Sequence, residues 1–134
     1  MTLEELNLHL DMVRQLQDAR EILSDAKARI LGAAQYDGMP HSHEASRRTE
    51  NLSVFLAGRQ ADVDRLETAV RNSERDVREF VETIHDVRTK SIFDLRWMCG
   101  MTWEDVAFYL GGANNADSVR MIAYRYLEST GDLE

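Results

Sequence analysis

The 134 residues carry 24 acidic against 16 basic side chains, a formal charge of −8, and 43% of them are apolar; that is enough chain for one ordinary domain or two small helical modules. A single Pro and a single Cys, Cys99, exclude a collagen, a disulfide scaffold and a low-complexity tail, and the acidic balance excludes a polybasic nucleic-acid arm. The first residues lack the basic-then-apolar pattern of a secretory signal, and no run approaches the roughly 18 apolar residues of a membrane span, so a soluble, intracellular protein is expected.

Residues 3–31 contain no Gly or Pro and place Leu3, Leu6, Leu10, Val13, Leu16, Ala19, Leu23, Ala26 and Ile30 at helical spacing. Thr2, with Glu5 three positions on, makes a capping box, and Gly32 is a natural stop. At about 1.5 Å per residue this helix is on the order of 40 Å long. Its apolar steps of three and four do not alternate strictly, so the seam drifts near Leu16.

Residues 32–50 then hold two glycines, the only proline, a turn-forming Asp37-Gly38, and His41 and His43. Apolar periodicity is nearly absent there, so a connection is expected, long for the interior of a compact domain. Arg47-Arg48 is a two-residue basic spot within it, read as a solvated pair.

A second long helix is expected from near Asn51, or from just after Gly58, because a glycine costs about 1 kcal/mol in a helix interior. Leu52, Leu56, Val63, Leu66, Val70, Val77, Phe80 and Ile84 follow a heptad in which Arg59 and Ser73 fill the remaining seam positions. The opposite face alternates acids with arginines, as on a solvated surface. Two such helices make an antiparallel hairpin over 1–85. A two-helix hairpin encloses no core by itself, so it must pack on the C-terminal residues, on another copy, or on both, and a homodimer or higher oligomer is expected.

From 86 to 134 the elements shorten. Punctuation at Cys99-Gly100, Gly111-Gly112 and Gly131 separates three helices near 86–99, 103–110 and 117–128. Both tryptophans, Trp97 and Trp103, lie here at buried phases of their helices, as a small independent core requires. Thr102 caps the middle helix, whose stripe is Val106, Ala107 and Leu110. In the last helix Val119, Ile122, Ala123, Tyr126 and Leu127 face inward. The expected fold is all-α: a long, coiled-coil-like antiparallel hairpin followed by a small trihelical helix-turn-helix module.

The run Leu95-Arg96-x-x-x-Gly100-Met101-Thr102-Trp103-Glu104-Asp105-Val106-Ala107-x-x-Leu110-Gly111 resembles the DNA-reading C-terminal domain of sigma factors. Within that group it is similar to the small phage-encoded, sigma-like regulators of the RinA/ArpU type, over about residues 84–127. The resemblance implies a phage or prophage transcription regulator in the cytoplasm of a bacterial host, with promoter DNA and RNA polymerase as partners. It further implies that the third helix enters the major groove, with Ala116, Asp117 and Met121 nearest the bases. Arg120 and Arg125 would then contact phosphate, supported by Ser118 and Tyr124, while Asn114 and Asn115 either reach a base edge or cap the helix. The sequence departs from the sigma pattern in offering only two arginines there, against Asp117, and in a longer Gly111–Ala116 turn.

Other chemistries find little support. His41-Ser42-His43-Glu44 lacks the further ligands of structural zinc, since only Cys99 and the distant His9 and His85 remain. No phosphate loop and no nucleophile–base spacing occurs, so neither a cofactor nor an enzyme is expected. Arg96 is open between touching phosphate and solvating its helix. The competing reading is a structural or interaction protein that binds no DNA, either a coiled-coil adaptor or a packaging component like a small terminase. Charge bears on the choice: residues 1–85 balance at −5 and residues 86–134 at −3, so the proposed reader is itself acidic and binds DNA weakly when alone.

Overall fold

The computed structural model describes residues 1–36 and 43–133, and every regular element in them is helical. Five helices follow in order: α1 (Leu3–Tyr36), α2 (His43–Glu82), α3 (Val87–Phe93), α4 (Trp103–Leu110) and α5 (Ala116–Thr130). A π-helical turn, Asp94–Met98, extends α3. Among the described residues no helix is long and apolar enough to cross a membrane.

The start of α1 is the capping box read from sequence. The Thr2 N–H donates to Glu5 Oε2 at 2.9 Å, and the Glu5 N–H donates to Thr2 Oγ1 at 3.2 Å. The ends of the two long helices differ from expectation. Gly32 does not stop α1, and α2 begins at His43 and passes through Gly58, so residues 32–36 and 43–50 are helix where a connection was expected. A lone glycine costs only about 1 kcal/mol, and Ala33 and Ala34 beyond it are strong helix formers. Glu44, Ala45, Arg47, Arg48 and Glu50 favour helix equally without apolar periodicity to announce it. Asp37-Gly38 and His41 lie outside the described residues.

The chain divides into two compact units, one of Met1–Met12 with Val70–Glu134 and the other of Val13–Ala69. α1 and α2 each give residues to both units. In the 13–69 unit Leu16, Ala19 and Leu23 of α1 are buried, with Val63 and Leu66 of α2, and Arg20 pairs with Glu67 at 2.9 Å. A parallel arrangement would set residues 36 and 43 about 60 Å apart. Six intervening residues span at most about 25 Å, so this contact fits the antiparallel pairing expected of the hairpin.

In the other unit the core is Ile92, Phe93, Trp97, Val106, Ala107, Val119, Ala123 and Leu127, completed by Leu6, Val77, Val81 and Ile84. Phe93 meets Trp97 at 4.9 Å and the edge of Tyr126 at 5.6 Å between centroids, the offset geometry that aromatic quadrupoles favour. Both chain ends attach here: the Leu3 N–H donates to the Asp132 carbonyl at 2.8 Å. One polar pair lies in the seam. His9 is buried, and its Nδ1 shares a 2.7 Å hydrogen bond with Ser73 Oγ. Ser73 thus occupies the seam position read from the heptad, whereas Val13, expected on the α1 stripe, is exposed and His9 is buried instead. Leu52 is likewise exposed rather than seated in the α2 seam.

Two outcomes follow from these placements. Burial holds the His9 imidazole below its ordinary pKa, with Glu74 opposing in part. The neutral ring is the form that folding favours, so its stabilisation is complete above the unfolded value near 6.5 and is lost as pH falls from there through the lowered folded value. Urea-unfolding midpoints should fall from pH 7.5 to pH 5.5, and His9→Gln should flatten that dependence. Separately, Gly58 is helical and a Cβ there meets nothing within 4 Å. Gly58→Ala should therefore raise stability by about 0.5–1 kcal/mol, read as a higher midpoint in the same titration.

Candidate nucleic-acid interface

The interface expected from sequence rests on α3, its π-helical extension, α4 and α5. Asp86 caps α3, accepting from the Thr89 N–H at 3.0 Å and the Thr89 hydroxyl at 2.8 Å, and these bonds hold its carboxyl below the usual carboxylate range. The π-helical turn shows in the Cys99 N–H, which donates to the Asp94 carbonyl at 2.9 Å, five residues back. Gly100 then takes a left-handed φ of 69°, and the Met101 N–H closes the end on the Leu95 carbonyl at 3.1 Å.

Arg96 resolves as a brace. Its guanidinium lies over the Trp103 ring at 4.8 Å and donates to the Met101 carbonyl at 2.8 Å. It ties the end of the α3 extension to the start of α4. Trp103 in turn meets Trp97 edge-on at 5.6 Å and Tyr124 of α5 at 6.1 Å. A line of aromatic contacts thus runs from α3 through α4 to α5 and fixes how the last two helices meet.

Thr102 Oγ1 accepts from the Asp105 N–H at 3.2 Å and begins α4 as read from sequence. Val106 and Ala107 are its buried residues. The turn that follows uses two adjacent glycines at φ 76° and 72°; Gly111, with ψ −170°, lies in a region essentially closed to residues with a Cβ. Asn114 latches the turn, its Nδ2 donating to the Gly111 carbonyl at 2.7 Å. Asn115 and Ser118 then form a reciprocal capping box at the start of α5. The Ser118 N–H donates to Asn115 Oδ1 and the Asn115 N–H donates to Ser118 Oγ, both at 2.9 Å.

Of the nine residues expected at the DNA, four are therefore engaged locally: Asn114, Asn115 and Ser118 in turn and cap, and Tyr124 half-buried against Trp103; Ala116 is half-buried at the first position of α5. Asp117 and Arg120 pair with each other at 2.9 Å on the exposed side. Met121 is 47% exposed, and Arg125 is exposed with no ion pair among the described residues. The buried edge of α5 is Val119, Ala123 and Leu127, so 117, 120, 121 and 125 share its outer side.

The field around this face is acidic. The unit that contains it holds 15 acids against 8 bases, a balance of −7, whereas the 13–69 unit holds 9 against 8, a balance of −1. Among the described residues no group of three His, Cys, Asp or Glu side chains is placed to hold a metal ion. Sequence reasoning passed over one surface. Phe108 and Tyr109 of α4 are 77% and 63% exposed, with their rings in edge contact at 5.3 Å. The available signal was that both fall opposite the Val106–Ala107 stripe.

Removing the α5 cap isolates its structural part. Asn115→Ala should lower unfolding free energy by about 1 kcal/mol, whereas Met121→Ala on the exposed face should change it by less than about 0.5 kcal/mol, both measured by urea unfolding. Comparison of the chain with family models, with curated proteins and with solved structures gives no significant match in any of the three.

Proposed function

We propose that residues 86–134 are a sigma-like helix-turn-helix module of a phage-type transcription regulator, and that α5 reads promoter DNA with help from self-association or from RNA polymerase. The observation that carries this reading is the α4–turn–α5 unit. Its packed side is supplied by Val106, Ala107, Val119 and Ala123, and the capped start and outer side of α5 remain exposed. An exposed helix start offers backbone N–H groups and a partial positive charge to a phosphate. Arg120 and Arg125 add the side-chain charge along the same helix.

The balance of −7 in that unit sets the affinity scale. Each neutralised phosphate contributes about 0.9 to the salt slope, and a reader with two arginines gains little from counterion release. Arg120 also gives up part of its charge to Asp117 at 2.9 Å. Such a module does not hold an operator by itself, so a second copy or a polymerase must supply the remaining affinity. The reading is of a binding protein and not of a catalyst. The competing protein-only reading is favoured by a specific observation, the exposed aromatic pair of α4 beside Glu104 and Asp105.

Footprinting on DNA of the replicon that encodes the protein, at about 50 mM salt, separates the two. Under the proposed reading a protected site appears, Arg120→Ala with Arg125→Ala weakens it at least tenfold, and the salt slope falls by about 2. Asp117→Asn tightens it, because Arg120 is released and an acid is lost. Binding that is indifferent to these changes, or no protected site with polymerase present, overturns the assignment of α5 as reader.

A further inference from the structure

The outer side of α4 and the early part of α2 are opposites in chemistry. On α4, Glu104 and Asp105 are followed one turn later by Phe108 and Tyr109, and all four are exposed; residues three and four apart on a helix are surface neighbours. This is an acidic and aromatic face, and with a balance of −7 in its unit it repels a phosphate backbone. On α2, Arg47 and Arg48 are followed by Leu52, Val54 and Phe55, again all exposed. Arg48, Leu52 and Phe55 stand at i, i+4 and i+7, on one side of the helix. On that side Leu52 is 36% and Phe55 39% exposed, and the Arg59 guanidinium lies over the Phe55 ring at 5.3 Å and adds to the positive charge there, in a unit of two helices whose buried apolar residues are few.

We infer that these two faces bind each other between copies of this chain: the Arg48–Leu52–Phe55 side of α2 in one copy docks on the Glu104–Phe108–Tyr109 side of α4 in another. The two faces are complementary in charge and match in the order of their residues. Each face carries its charges one turn N-terminal to its apolar anchors, so antiparallel helices set arginine beside aromatic, and parallel helices set arginine beside carboxylate and aliphatic beside aromatic. Arginine is favourable against either group, as a cation over a ring or as a fork on a carboxylate. Both faces are helical surfaces already formed in the monomer, so docking orders little further chain. The contact joins different patches, so it grows beyond two copies unless two such contacts close on each other. Each face is one or two helical turns long, so the contact belongs with weak, transient interfaces. The inference is independent of DNA reading, because α4's outer side takes no part in it.

Sedimentation equilibrium of the full chain at about 100 µM tests it. The wild-type protein is expected to show a mass well above 15.4 kDa at 50 mM salt and to approach that value at 0.5 M salt, where the screening length is below about 5 Å. Arg47→Glu with Arg48→Glu, and separately Glu104→Arg with Asp105→Arg, should each weaken association at least tenfold. An equimolar mixture of the two charge-reversed proteins should associate again, since the reversed α2 face of one then meets the reversed α4 face of the other. Phe108→Ala should weaken association at unchanged helix content by circular dichroism. A monomer at 100 µM and low salt overturns the inference. So does association that survives both reversals, or two reversed proteins that fail to associate when mixed.

Discussion

The constraint on which the C-terminal helices depend is that three short helices do not enclose Trp97 by themselves. Its ring is 1% exposed only because Leu6 from the start of α1 and Val77, Val81 and Ile84 from the end of α2 and the residues after it join the core. The indole N–H is met from α1 as well, by Asn7 Oδ1 at 3.3 Å. A unit of this size has too little apolar surface of its own to offset chain entropy, and recruiting two helix ends raises it. The π-helical turn and the Arg96 brace belong to the same packing problem: they bring Trp97 and Trp103 edge to edge at 5.6 Å and so set the angle at which α4 and α5 are presented.

Polar residues in this chain are spent mainly on geometry. Thr2, Asp86, Thr102 and Asn115 each begin a helix by accepting a backbone N–H, and Asn114 closes the Gly111-Gly112 turn. Such side chains look in sequence like a row of available hydrogen-bonding groups before the third helix. In the fold most of that capacity is already used, and Met121, Arg125 and the Asp117–Arg120 pair are what α5 presents outward. Under the proposed function, a reader built on so few groups depends on accessory affinity, and the acidity of the surrounding unit strengthens that dependence.

The placement of charge and of exposed apolar residues is uneven. The acid excess lies almost entirely in the unit that holds α3 to α5, and the 13–69 unit is nearly balanced. One unit is therefore acidic and bears exposed aromatics, and the other bears exposed arginines and aliphatics. The proposed contact between copies draws on this distribution.

Local rules in the sequence determined the helical class, the capping box at Thr2 and the cap at Thr102, the stops at Gly111 and Gly131, and the stripes Val106–Ala107 and Val119–Ala123–Leu127; Asn115 was open between a base edge and the cap it forms. Each depends on residues within one or two turns of one another, so the pattern is complete in the chain itself. Ser73 as a seam residue was also legible, from the heptad alone. The continuation of α1 and α2 through Gly32 and Gly58 follows from local propensity, which a lone glycine lowers too little to end a helix. Only the tertiary structure decided that His9 stands opposite Ser73, that the first twelve residues belong with the last sixty-five, and that Arg96 lies on Trp103 across the Gly100 turn. The first two rest on contacts between residues tens of positions apart and the third on a turn that brings two helix ends together, and no local spacing records the partner.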